Sequence, residues 1–426
     1  MSENYLILKG DICYTPSPEK MVCMEDGYLV CENGICKYVT KELPGKLLDF
    51  PISDYSGKLI MPGLIDLHVH APQYSFRGLG MDMELLEWLN CRTFPEERNY
   101  QDETYAKRAY EIFAEDLRRG PNTRACVFGT LHVAGTLILM DELEKSGICA
   151  FVGKVNMDRN SPDFLREQSA DESLANTKEW LRQVKKKEYH SVKPMLTPRF
   201  IPSCTDALME GLKQIQAEWR LPVQSHLSEN QGEISWVKEL SPQSAFYGDA
   251  YDRFGLFGGD VPTVMAHCVW SEEEEQKRMK ERGIYIAHCP QSNENLASGI
   301  APVRAYLEQG MHVGLGSDVA GGAHMSIFRA MADAVQMSKI RWRLVDQSQK
   351  PLTVPEVFYL GTKGGGSFFG KVGSFESGYE LDAVIIDDSI YRHPQKLSVE
   401  ERAERLIYLH DGSTVLHKFV AGKQLF

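Results

Sequence analysis

The 426-residue sequence predicts an α/β fold: a (β/α)8 TIM barrel carrying a small β-sandwich built from both chain ends. Three observations point there. Eight short apolar runs, each ending in polar residues, alternate with helix-like segments, which is the order of elements that a (β/α)8 barrel requires. Metal-ligand and proton-carrying residues gather at the ends of several of those runs, the place where barrel enzymes do their chemistry. Both flanks read as short β pieces and turns, and neither has enough apolar sequence to bury a core alone.

The runs cover 64–70, 123–131, 148–158, 192–200, 222–229, 263–270, 283–291 and 312–318. Between them the helix signals are specific. Residues 103–119 begin Glu-Thr-Tyr-Ala-Lys and stop at Gly120-Pro121, a strong terminator. Residues 271–282 open on Ser271 as an expected N-cap followed directly by four Glu, and end in Lys-Glu-Arg ahead of Gly283. Acidic residues at the first turn and basic residues at the last suit the helix dipole. These units define a catalytic barrel over 61–369. Residues 1–60 and 370–426 supply Tyr5-Leu-Ile-Leu-Lys9, Gly27-Tyr-Leu-Val-Cys31, Asp382-Ala-Val-Ile-Ile-Asp387 and Val415-Leu-His-Lys-Phe-Val420 to one composite β domain. A doubly wound open sheet would call for a Gly-rich phosphate loop after the first strand. Gly364-Gly-Gly366 comes late, follows a helical stretch that starts at Thr353, and lacks the G-x-G-x-x-G order, so it reads as a turn or a close-packing point.

Composition narrows the function. Hydrophobic residues are 43% and charged residues 25%, as in ordinary globular proteins. A net charge of −12 argues against binding a nucleic-acid backbone, yet leaves a free nucleobase open as a substrate, because a base carries no phosphate. No apolar run is long enough to span a bilayer, so no membrane partner is expected. The start, Met1-Ser-Glu-Asn-Tyr5, lacks the pattern of a secretion signal, and ten Cys occur without C-x-x-C pairs. Reduced thiols and a cytoplasmic location are the expectation. The cytidine-deaminase kind of zinc site is excluded, since Cys289-Pro290 has no second Cys at the required spacing.

The chemistry starts at His68-Val-His70. Alternate residues of a strand share a face, so both imidazoles should point into the barrel mouth. Strand 5 ends His226-Leu-Ser-Glu229, strand 6 carries His267, and strand 8 ends Gly316-Ser-Asp318. Three neutral imidazoles and a carboxylate suit one divalent metal per subunit, Zn²⁺ or alternatively Fe²⁺. Such a metal would turn bound water into a nucleophile near neutral pH, and Glu229, three residues after His226, could carry the proton. Strand 4 has its only Lys at its start, Lys193, and ends Thr197-Pro-Arg199-Phe200. A lysine-bridged pair of metals is therefore not expected, and Arg199 should offer a guanidinium to the pocket. His288 is read as a packing or supporting residue, and His132, His190, His312, His393, His410 and His417 as surface or structural.

Pro62-Gly-Leu-Ile-Asp-Leu-His-Val-His70, His226-Leu-Ser-Glu229, Ala266-His267 and Gly316-Ser-Asp318 resemble the amidohydrolase superfamily of metal-dependent hydrolases over nearly the whole chain. Within it, His70-Ala-Pro-Gln73-Tyr, Phe76-Arg-Gly-Leu-Gly80, Leu86-Glu-Trp-Leu-Asn90, Thr93-Phe-Pro-Glu96 and Thr197-Pro-Arg-Phe200 look like its guanine-deaminating members. The run Gly316-Ser-Asp-Val-Ala-Gly-Gly322 departs from the family pattern by small substitutions that leave the ligand set intact. The resemblance implies metal ligands His68, His70, His226 and Asp318. It implies catalytic roles for Glu229, His267 and Asp318, with His267 beside the water rather than on the metal. Gln73, Arg199, Phe200 and Glu229 would hold the purine. The implied reaction is hydrolysis of guanine to xanthine and ammonia by a homodimer. Two alternatives stay open: another deaminase or chlorohydrolase of triazine or pterin rings, and a non-catalytic barrel scaffold.

Overall fold

A computed structural model describes residues 5–410 and 414–426. The N-terminal strands are β1 (Tyr5–Ser17), β2 (Lys20–Glu32), β3 (Ile35–Thr40) and β4 (Ile52–Pro62). The barrel follows directly. Its staves are β5 (Leu64–His70), β6 (Asn122–Phe128), β7 (Cys149–Gly153) continuing in β8 (Val155–Asn156), and β9 (Val192–Pro194) continuing in β10 (Thr197–Pro198). The other four are β11 (Val223–Leu227), β12 (Thr263–His267), β13 (Tyr285–His288) and β14 (His312–Leu315). Each of the eight apolar runs thus contains a strand. Neighbouring staves pair in parallel, and a bridge between Leu196 and Val223 joins the two halves.

The barrel closes between its last and first staves, and the closure sets the site. Asp318 N donates to His68 O at 2.8 Å and His70 N donates to Val319 O at 3.1 Å. Asp66 locks the same seam. It is fully buried and accepts from Ser317 N at 3.0 Å, Ser317 Oγ at 2.6 Å and His68 N at 3.2 Å. The pairing of β5 with β6 shifts register between Asp66 and Val69, an irregularity that re-aims side chains next to active sites.

The helices follow their sequence signals with one correction. Helix 103–119 forms over the expected span, capped by Asp102, and buries Ala106, Tyr110, Phe113 and Leu117. The helix after β12 runs Glu273–Arg282, and Glu272 rather than Ser271 occupies its N-cap. That cap makes no side-chain hydrogen bond, so the acidic first turn takes over its dipole-matching role. Gly283 ends the helix at φ 65°, a left-handed conformation that glycine adopts without strain. Gly364 to Gly366 are packing points. A Cβ on Gly364 would lie 2.7 Å from Val313 O, and one on Gly366 2.4 Å from Val372 O.

The chain ends meet in one sheet. Strands β15 (Ala383–Ile386), β16 (Val415–Val420) and β17 (Lys423–Gln424) join β1 to β4 in the order β17-β16-β15-β4-β1-β2-β3. The expected sandwich is hydrogen-bonded as this single seven-stranded sheet. It is tied to the barrel by polar bonds as well as apolar packing. Arg124 Nε donates to Asp382 Oδ2 at 2.7 Å, and the buried Lys418 Nζ donates to Leu117 O and Asn122 O at 2.9 and 2.8 Å. A C-terminal helix, Val399–Leu409, lies beyond the elements expected above, and Ser398 with Glu401 forms its capping box.

Candidate active site and metal centre

Three imidazoles converge at the C-terminal mouth of the barrel. His70 Nε2 lies 3.2 Å from both His68 Nε2 and His226 Nε2. Asp318 Oδ1 is 3.1 Å from His68 Nε2 and 3.4 Å from His70 Nε2. These separations match ligands sharing one tetrahedral ion, where metal–nitrogen bonds of about 2.0–2.1 Å place neighbouring donors about 3.3 Å apart. Burial holds the three histidines below their usual range, helped at His70 and His226 by the neighbouring imidazoles. Neutral imidazole is the form a metal needs. Burial alone would raise the Asp318 carboxyl, but His68, His267 and His70 outweigh it and hold the group well below the usual carboxylate range. The donor set therefore fits a divalent cation, with three neutral nitrogens and one anionic oxygen.

The ring of His226 is aimed by its backbone surroundings. Its Nδ1 meets Arg199 O at 2.6 Å, leaving Nε2 for the cluster. Such bonds fix the tautomer and orientation of ligating histidines. His267 is placed differently. Its Nδ1 meets Asn293 Oδ1 at 2.9 Å, and its Nε2 lies 3.6 Å from Asp318 Oδ2 and 3.4 Å from Glu229 Oε2. It bridges two carboxylates beside the other three histidines. Burial works against its protonation, but Glu229 and Asp318 raise it above the usual value. Backbone conformation adds to the definition of this region, with Asp318 at φ 44° and His267 at φ 73°, both unusual for residues other than glycine.

Glu229 faces the same cavity. Ser298 Oγ donates to its Oε1 at 2.9 Å, which leaves Oε2 free toward His267. Burial pushes its carboxyl up to about 7 against the pull of His267. A carboxyl poised there can accept and return a proton near neutral pH.

A small, partly open cavity lies beside the histidines. Its polar wall is Gln73 and Arg199, and Phe200, Leu85, Trp88 and Leu296 supply apolar faces. Every expected site residue except His68 lines it, and His68 Nε2 lies 3.2 Å from His70 Nε2. His288 is buried, and burial depresses it to about 3, but it lies outside the cavity lining. Lys193 at the start of stave 4 is exposed and does not line the cavity.

Several functional neighbours escaped sequence reasoning. Glu97 accepts from Gln73 Nε2 at 2.9 Å and from both terminal nitrogens of Arg199 at 2.6 and 3.1 Å. Glu233 lines the cavity and accepts from Tyr247 Oη at 2.6 Å. Asn230-x-x-Glu233 was visible as a capping box, and Asp66 as a lone charge in an apolar strand. Ser298 and Glu97 carried no local signal, because their partners are distant in sequence.

This barrel, with its histidine and aspartate cluster, defines a metal-dependent hydrolase. The amidohydrolase family profile matches residues 59–425, and the chain belongs to that family. Among relatives, it is similar to guanine deaminase of Mus musculus, 40% identical over 86% of this chain and 83% of the other. It is 32% identical to guanine deaminase of Escherichia coli over 95% and 92%. A crystal structure of guanine deaminase from C. acetobutylicum with guanine in the active site superposes with a TM-score of 0.95, at 47% identity and covering 99% of this chain and 100% of that one. Triazine hydrolase structures at 18% identity share the fold alone.

Proposed function

We infer that this protein is a hydrolase that deaminates guanine, giving xanthine and ammonia. The likeness to the guanine-bound enzyme, spanning both chains nearly end to end, carries the reading. The scaffold and triazine alternatives are less well supported, since the histidine and aspartate cluster could hold a metal and the cavity beside it has a polar wall suited to a purine.

His68, His70, His226 and Asp318 would hold the metal, Zn²⁺ in this reading, which when bound supplies a nucleophilic water and a Lewis acid. The residues of the chain do the rest. Gln73 offers a donor and an acceptor to the purine edge, and Arg199 donates to the 6-oxo group. Phe200 and Trp88 bound the ring by apolar contact. Glu229 takes the water's proton on Oε2, the oxygen Ser298 leaves free, and passes it to the ring as C2 is attacked. A second transfer, to the 2-amino group, lets ammonia leave. His267 holds the attacking oxygen by a hydrogen bond from Nε2, and Asp318 Oδ2, turned toward the same place, accepts its hydrogen. Every proton taken from water ends on xanthine or ammonia. A homodimer and a cytoplasmic location belong to the same reading, supported by family resemblance and, for location, by cysteine usage.

Production of ammonia and xanthine in equal amounts from guanine tests the reaction, and metal-loaded protein that leaves guanine intact contradicts it. Arg199→Ala tests the pocket. It removes the guanidinium and leaves Glu97 buried without its ion pair. The expected loss is about 2–5 kcal/mol of transition-state stabilisation, or roughly 30- to 5,000-fold in kcat/KM, at unchanged metal content. Unchanged guanine kinetics would remove Arg199 from the pocket.

A further inference from the structure

We propose that Glu97 is the positioning residue that sets which hydrogen bonds the pocket offers, and so makes it select a 6-oxo purine. The proposal rests on the reading above, in which Gln73 and Arg199 meet the substrate. Glu97 lies 24 residues from Gln73 and 102 from Arg199 in sequence, yet its carboxylate touches both and is itself only 3% exposed.

The geometry leaves Gln73 one orientation. Its Nε2 donates to Glu97 Oε1 at 2.9 Å, while its Oε1 accepts from Ala320 N at 3.2 Å. A flipped amide would set a carbonyl against a carboxylate and an NH₂ against a backbone N–H. Both contacts would be repulsive in a buried site, where leaving a donor or acceptor unpaired is costly. Arg199 is fixed in the same way. Its two terminal nitrogens grip the two oxygens of Glu97, and its guanidinium carbon lies 5.4 Å from the centre of the Phe94 ring. Phe94 and Glu97 belong to the same short helix over the barrel mouth. Five N–H groups are available on a guanidinium, and two go to Glu97, so the others are held at defined angles.

The charge balance follows from the same contact. Arg199 and Glu97 are both buried and form a closed ion pair, so this wall carries no net charge from them. A wall of that kind offers hydrogen-bond donors to a neutral lactam carbonyl without favouring an anion. A purine without the 6-oxo group would leave those buried donors unmatched, and sites built to hydrogen-bond a group reject analogues lacking it. Glu97 acts through Gln73 and Arg199 and needs no contact with the base.

The test uses two non-reacting purines, hypoxanthine and unsubstituted purine, which differ in the 6-oxo group and the N1–H that accompanies it. Their inhibition constants are measured against guanine for the metal-loaded wild type, Glu97→Gln and Glu97→Asp, with bound metal and thermal unfolding recorded for each. Glu97→Gln keeps the size but places an NH₂ against donors. Glu97→Asp keeps the charge but shortens the reach. The wild type should favour hypoxanthine strongly. Glu97→Gln should reduce that preference by about tenfold or more and raise KM for guanine more than it lowers kcat, with Glu97→Asp falling between. A wild type that binds both purines equally would sink the assignment of Gln73 and Arg199, and the proposal with it. If the wild type discriminates and both variants discriminate equally well, only the role of Glu97 is lost. Variants that lose metal or unfold, with discrimination intact in whatever remains folded, would make Glu97 a structural carboxylate and overturn the proposal.

Discussion

Glu229→Gln is expected to lower kcat about 10²- to 10⁴-fold while metal content and fold stay unchanged. The amide is isosteric and its oxygen can still accept from Ser298 Oγ, the partner of Glu229 Oε1. What disappears is the oxygen able to carry a proton, Oε2, which faces His267 at 3.4 Å. KM should change little, because shape and polarity of the cavity are kept. Steady-state ammonia release on protein with a measured metal ratio checks this. Near-normal turnover would assign the proton transfer to another group, and a loss of metal would make Glu229 a ligand instead.

The second large effect is expected at Asp318. Its carboxylate stands 3.1 Å from His68 Nε2 and its backbone sits at φ 44°. Asn is the informative replacement, since it tolerates the left-handed region better than most residues. Asp318→Asn should therefore keep the closure of the barrel, with its backbone bond to His68 O, while losing the only anion among the four donors. Metal should be held at least about 100-fold less tightly, since losing even an outer partner of a metal ligand costs 10–100-fold. Guanine turnover should fall below detection unless metal is added in large excess. Metal analysis after dialysis against a weak chelator, together with a thermal melt, separates this outcome from unfolding. Full metal retention with full activity would remove Asp318 from the ligand set.

Legibility in the sequence followed the range of the interactions involved. Periodicity is local, so the eight staves and the helix 103–119 could be placed from residue order alone. The donors at strand ends were legible because a barrel brings those ends together whatever the intervening loops do. Residue type favours Ser271 as a cap, but the chain enters the helix one residue later, at Glu272, a shift typical of helix ends. Glu97 could not be singled out, because it follows Glu96 in a short acidic pair and nothing local separates the buried carboxylate from its half-buried neighbour. Its significance lies in bonds to Gln73 and Arg199. Asp66 shows the intermediate case: a charge inside Leu64-Ile-Asp-Leu67 signals a buried partner without naming it, and the partner proves to be Ser317, across the barrel seam.

The most direct measurement of the whole account is ammonia release by metal-quantified protein offered guanine, adenine, cytosine, melamine and pterin in parallel. The account predicts rapid turnover of guanine to xanthine, far slower release from the other four, loss of activity on chelation and recovery with Zn²⁺. Faster release from melamine or pterin than from guanine, or guanine turnover that survives complete metal removal, would contradict it.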